Sequence, residues 1–208
     1  IRKLFIPDEG FTFFDMDLDR ADLQVVVWEA EDVELKQMLR EGVDIHMENS
    51  KLLGCSRQLA KSWVHGTNYG GGPRTMAVTC GLSVREAEKM QSRWFAAHPG
   101  IRRWQERTAA QLSKGFVQNI FGYRWYIFDR PSLPNALAWQ PQSVVGRAIN
   151  EAWVRIHYQA PHIQVLLQIH DSLAGQFPTH MKSKCLADLK NLAPTTIPYP
   201  DPLVIPVG

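Results

Sequence analysis

The chain reads as an α+β protein with an antiparallel sheet and a separate helical subdomain, and three stretches predict this. Residues 11–18, FTFFDMDL, alternate aromatic or aliphatic residues with Asp15 and Asp17, the period of two that a strand imposes. Residues 165–177, VLLQIHDSLAGQF, place two apolar runs around His170-Asp171-Ser172, the pattern of a hairpin with a carboxylate at its tip. Between these two stretches most segments have helical spacing.

Each element follows from local chemistry. IRKLFIP opens in what looks like mid-fold sequence, so a fragment of a longer chain is expected. After the first strand, residues 20–31 switch to helical spacing with Leu23, Val26 and Val27 apolar. Residues 32–39 give a second short helix before Glu41-Gly42. A helix over 44–53 is closed by Gly54, and Ser56 is placed to cap the next, RQLAKSWVHGTNYGGG at 57–72. That helix runs into a glycine-rich break, and a short helix then leads to Cys80 and a Gly81 stop. Ser83 and Glu86 have the capping-box spacing that opens a helix to about Ala97, and Pro99 and Gly100 break it. Residues 101–113 form a basic amphipathic helix. Gly122 between aromatic runs makes 116–128 a hairpin with Arg124 at its turn. A loop at 130–134, a long helix over 136–158, the second carboxylate hairpin and a helix over 181–192 follow. A proline-rich stretch and a last strand at 203–207 end the chain. There is no internal repeat.

Composition narrows the classes. The 208 residues are 45% hydrophobic and 21% charged, enough for one sizeable core or two subdomains. With a formal net charge of only +2, a nucleic-acid site has to come from local clusters of Lys and Arg. Cys55, Cys80 and Cys185 are odd in number and widely spaced, which indicates neither a disulfide framework nor a zinc site. No apolar run is long enough to span a bilayer and no leader opens the chain, so a soluble protein of the cytoplasm is expected.

The central helix carries the chemistry. At about 3.6 residues per turn, Arg57, Lys61, His65 and Asn68 or Tyr69 line one face. Arg grips phosphate with a planar fork, Lys adds a mobile charge, and rings stack, so the face suits a nucleoside triphosphate. On periodicity alone, an ordinary surface helix with solvated cations and core aromatics is the better reading.

Three blocks stand in order: DLDRADLQ at 17–24, R-x3-K-x3-H-G-x2-Y-G at 57–70, and QIHDS at 168–172. Together they resemble the three motifs of family A DNA polymerases, the bacterial polymerase I type, especially phage relatives. GVDIHMENS, HPGIRRWQE and GFVQNIFGYRWYIF extend the resemblance over nearly the whole chain. It implies a right-hand polymerase fold, with residues 1–31 and 99–208 as palm and 32–98 as fingers. The thumb and any exonuclease domain would precede Ile1.

The resemblance also implies roles. Asp17 and Asp171, with the Leu18 carbonyl, would hold two Mg²⁺ ions, with Mn²⁺ as a substitute. Asp15 and Asp19 share the strand face of Asp17, and the family register favours Asp17. Arg57, Lys61 and His46 match triphosphate-binding residues, and His65 and Tyr69 match ring positions beside the incoming base. Asp22 falls where the family places a sugar-sensing glutamate, one methylene longer. Gln142 and His170 match primer-side minor-groove contacts, Gly70 closes the helix beside the template, and Arg102, Arg103, Arg107, Lys114 and Arg124 are candidates for backbone phosphates. His65 replaces the usual Phe or Tyr, and Ser172 replaces a second acid. The function implied is a monomeric, template-directed polymerase acting on primer-template DNA and dNTPs in phage or bacterial replication or repair, inside the host cell if phage-encoded. A reverse-transcriptase-like enzyme with relaxed sugar or template choice and a non-catalytic primer-template binding module are the alternatives.

Overall fold

A computed structural model describes residues 5–128 and 132–207. In chain order it has β1 (Phe11–Asp17), α1 (Ala21–Glu29), α2 (Val33–Arg40), α3 (Ile45–Leu53), α4 (Arg57–Asn68), α5 (Pro73–Cys80), α6 (Val84–Ala97) and α7 (Pro99–Leu112). Then follow β2 (Phe116–Gln118), β3 (Arg124–Tyr126), α8 (Leu133–Gln159), β4 (Gln164–Ile169), β5 (Ser172–Pro178), α9 (Lys182–Leu192), β6 (Thr196–Ile197) and β7 (Leu203–Val204). This is the α+β class read from the sequence. The described residues fall into two compact units, one within Ile1–Ala21 and Gln142–Gly208, the other within Asp22–Pro141.

The first unit is built on an antiparallel sheet of order β1-β5-β4. Period-two burial sorts β1: Phe14 and Met16 are buried, while Asp15 and Asp17 are exposed. The central strand β5 is buried almost end to end, and its Phe177 ring stacks on Phe14 with centroids 5.9 Å apart. Gly175 sits where β4 and β5 crowd, since a Cβ there would collide with the Gln164 carbonyl oxygen. Val144, Val145, Ala148, Ile149, Ala152 and Ile156 give α8 one apolar face. Arg155 on the same helix donates to the carbonyls of Leu192 and Pro194, each at 2.9 Å, and so satisfies acceptors at and beyond the end of α9.

The second unit is helical, with the small β2-β3 hairpin attached. Residues Val25 to Trp28 are all buried, so α1 runs through apolar surroundings instead of presenting one stripe. Caps start the helices as the sequence predicts: Ser56 accepts from the Leu59 N–H, and Ser83 and Glu86 form the reciprocal capping box. Gly54 ends α3 with φ 71°.

Three expectations change. Pro99 does not separate two helices by a loop but begins α7, a position where its missing N–H costs nothing. The long helix starts at Leu133 and carries Pro141 inside it. Arg124 is a strand residue of β3, because the Asn119 side chain accepts from the N–H groups of Phe121 and Tyr123 and closes the turn earlier. Residues 1–4 and the start of the 130–134 loop lie outside the described residues.

Candidate functional site

The sheet unit gathers carboxylates at one end. Asp17 is the register partner of Ser172, and the Leu18 N–H donates to the Asp171 carbonyl at 3.1 Å. Residues 154 apart in sequence are thus brought to one strand end, with Asp17 exposed and Asp171 half-buried. Ile169 pairs with Ser172, which leaves His170 and Asp171 as the hairpin tip, and His170 takes the left-handed backbone with φ 55°. Leu18 itself is buried and bridges to Val207.

The competitors separate by their surroundings. Asp19 receives the Arg20 Nε at 2.9 Å and Nη2 at 2.6 Å, so its carboxylate is taken up by its neighbour. Asp15 pairs with Ala174, two residues farther along the ladder from the tip than Asp17. Ser172 is fully buried, and its hydroxyl donates to the Ile169 carbonyl at 2.9 Å. It works as a hairpin clasp.

Two carboxylates at one strand end suit a hard, oxygen-loving cation. Among the described residues no group of three or more His, Cys, Asp and Glu is placed to hold a metal.

The helical unit gathers the cations. Ala60, Trp63, Val64, Thr67 and Asn68 turn α4 inward, while Arg57, Lys61 and His65 are exposed on the other side. Asn68 accepts from Trp94 Nε1 at 3.0 Å and belongs to the core, so the stripe ends on Tyr69. The Tyr69 ring stands edge-on to His65, with centroids 4.7 Å apart, and its hydroxyl donates to Asp22 at 3.4 Å. Burial first, and then the Asp22 carboxylate, push the phenol far above its ordinary pKa, so it stays a neutral donor. Gly70 follows with φ 82°, a conformation that favours glycine.

Position along this face is set by side chains that sequence patterns do not reveal. Gln105 Nε2 donates to the carbonyls of Thr67 and Asn68 at 2.8 and 2.9 Å and so fixes the end of α4. Arg57 Nε donates to Asp44 Oδ2 at 2.8 Å, and Asp44 Oδ1 accepts the N–H groups of His46 and Met47, each at 3.1 Å. The Arg57 hydrogen bond, with the cap bonds adding, holds the Asp44 carboxyl below the usual range. Asp44 and Gln105, which support this face, are not singled out by the sequence. The only signal was the N-cap chemistry of Asp44 ahead of His46.

The remaining candidates are scattered. Gln142 on α8 and His170 at the hairpin tip are exposed. Arg124 donates from Nε to Gln118 at 2.8 Å and lies 4.8 Å over the Phe116 ring. Arg102 lies over Phe95, Arg107 donates to the Glu29 carbonyl, and Arg103 and Lys114 are exposed. Among the described residues no helix is long and apolar enough to cross a membrane.

The sequence matches the profile of DNA polymerase family A over residues 1–199. It is 28% identical to a thermostable DNA polymerase I of Thermus filiformis, an alignment covering 100% of this chain and 28% of that protein. It is 26% identical to a DNA polymerase of Mycobacterium phage D29, over 86% of this chain and 31% of that one. The chain thus spans less than a third of the length of these relatives. Its fold resembles a solved structure of the POL domain of Pol1 from M. smegmatis in complex with DNA primer-template and dNTP. The TM-score is 0.87 at 21% identity, covering 100% of this chain and 41% of that one, and this likeness is one of fold.

Proposed function

The chain belongs to DNA polymerase family A, and from that premise we propose that it is the palm and fingers of a template-directed DNA polymerase that adds dNTPs to a primer 3′-hydroxyl. Residues 1–31 and 99–208 would serve as palm and 32–98 as fingers, working in DNA replication or repair. The observation that carries the reading is the pairing of Asp17 with Ser172 beside the Leu18 to Asp171 hydrogen bond, which brings the backbones of Asp17 and Asp171 together at one strand end.

Asp17 and Asp171, with the Leu18 carbonyl, would hold two Mg²⁺ ions. When bound, such ions supply Lewis-acid activation of the attacking oxygen and neutralise charge on the leaving pyrophosphate. The rest falls to the chain's own residues. Arg57 and Lys61 lie one turn apart on an exposed face and match the spread of a triphosphate, with His46 as a further phosphate contact. His65 and Tyr69 present rings to the incoming base, and Asp22, held by the Tyr69 hydroxyl, senses the sugar. Gln142 and His170 reach minor-groove acceptors, which every base pair offers, so they test pairing geometry without reading sequence. Gly70 gives the template room, and Arg124 meets backbone phosphate. In the reaction the primer 3′-oxygen bonds to the α-phosphorus as pyrophosphate leaves.

Ser172 favours a second reading, a primer-template binding module without catalysis, since the position offers a buried hydroxyl and no acid. Primer extension decides between them. The full-length parent is assayed with Mg²⁺, a DNA template and either dNTPs or rNTPs, beside Asp171→Ala. Extension with dNTPs that falls about a thousandfold or more in Asp171→Ala supports the polymerase. DNA binding with no extension by either protein sinks it in favour of the module, and equal extension with rNTPs assigns relaxed sugar choice.

A further inference from the structure

Arg57 is fastened by only one edge. Its Nε donates to Asp44 Oδ2 at 2.8 Å, and among the described residues neither terminal nitrogen of the guanidinium has a hydrogen-bond partner. The fork that a phosphate needs is therefore free while the stem behind it is held. Asp44 is a firm anchor because its other oxygen is committed to the first turn of α3, accepting from His46 and Met47. Lys61, one turn along α4, is also exposed and has no ion pair among the described residues.

We propose that Asp44 is a positioning residue for the nucleotide: it uses one carboxylate oxygen to cap α3 and the other to pre-aim Arg57, so that the free guanidinium edge meets the triphosphate without first losing its freedom. The proposal rests on the reading of Arg57 as a triphosphate ligand. An unanchored arginine samples many rotamers, and binding has to select one of them. Anchoring through Nε narrows that selection before the ligand arrives, by the modest amount a half-exposed ion pair supplies. The anchor also lowers the net positive charge at the mouth of the face, which disfavours stray anions lacking the geometry of the fork.

Two variants separate the cap from the anchor. Asp44→Asn keeps a capping oxygen but turns an amide NH₂ toward Arg57 Nε, and Asp44→Ser keeps the cap on an arm too short to reach it. Both are made in the full-length parent, in the wild-type and the Arg57→Ala backgrounds. Steady-state dNTP addition and equilibrium titration with a fluorescent dNTP are the readouts. Both variants are expected to raise the dNTP KM and Kd about fivefold with kcat nearly unchanged, and to add nothing once Arg57 is alanine. A KM unchanged by either variant while Arg57→Ala raises it overturns the proposal, as does an equal rise in both backgrounds. If Arg57→Ala itself leaves KM and Kd unchanged, the triphosphate role of Arg57 fails and the proposal goes with it.

Discussion

The two units hold their functional side chains by opposite means. In the sheet unit, Asp17 and Asp171 meet because strands from the two ends of the chain pair, and the position of each carboxylate depends on register. In the helical unit, Arg57, Lys61 and His65 line up because they are four residues apart on one helix, and only the angle of that helix needs outside support. A ladder that slips by one residue turns every side chain to the other face, whereas a helix that shifts keeps its stripe intact. Carboxylates that must be close to one another sit on the stiff, long-range element. The cations proposed to meet a triphosphate sit on the local one.

Perturbing each kind of support sharpens this contrast. The largest effect is expected from Gly175→Ala, which carries no chemistry but forces a Cβ against the Gln164 carbonyl and the Phe14 ring. It should cost about 3 kcal/mol or more in urea unfolding and abolish nucleotide addition with the fold of the sheet unit. Retained activity with an unchanged midpoint breaks the argument that register makes the carboxylate site.

A smaller effect is expected at the buried pair of the helical unit, where Asp32 caps α2 and lies 3.1 Å from His98 Nδ1. Burial alone would raise the Asp32 pKa, but the hydrogen bonds from His98 and the Leu35 N–H outweigh it and bring the carboxyl below its ordinary value of 3.8. A carboxylate with a depressed folded pKa adds stability above its unfolded value and loses it as pH falls through the folded one. Asp32→Asn should therefore cost about 2 kcal/mol at neutral pH. It should also flatten the fall in Tm between neutral pH and the region below pH 3.8. A variant with the wild-type acid slope removes Asp32 from the acid transition.

The smallest is at the exposed face itself. Lys61→Ala should raise the dNTP KM by about tenfold while leaving Tm unchanged, because the ammonium touches nothing it stabilises. A lower Tm with unchanged KM assigns Lys61 to the fold instead of the ligand.

What the sequence reveals follows the same division. The α4 face, its Ser56 cap and the capping box of α6 are local events, and their spacing states them outright. The alternation along β1 separates Asp15 and Asp17 from the buried Phe14 and Met16, but it cannot choose among Asp15, Asp17 and Asp19. By alternation all three fall on one face and carry one charge, although the strand ends at Asp17 and Asp19 lies in the turn beyond it. Only the Arg20 side chain, folded back on Asp19, and the ladder opposite Asp17 distinguish them, and neither has a periodic signature. Asp44 with Arg57 and Asp32 with His98 stayed hidden for a similar reason, since pairs 13 and 66 residues apart are made by helix packing. Arg124 moved from turn to strand because Asn119, through its side chain and its carbonyl, closes the turn by Tyr123 together with Gly122.

The left-handed backbone of His170 sets a course for evolution. A residue with a Cβ pays about 1 kcal/mol for that conformation relative to glycine, so selection for hardiness alone pulls the position away from histidine. A library of the gene selected for heat resistance without nucleotide addition should collect Gly and Asn at 170, and one selected for addition should keep the imidazole. If the two libraries converge on the same residue, the ring has no use of its own. If they part, the residue beside Asp171 records an old bargain in which the lineage kept a less comfortable hairpin for the sake of what its tip touches.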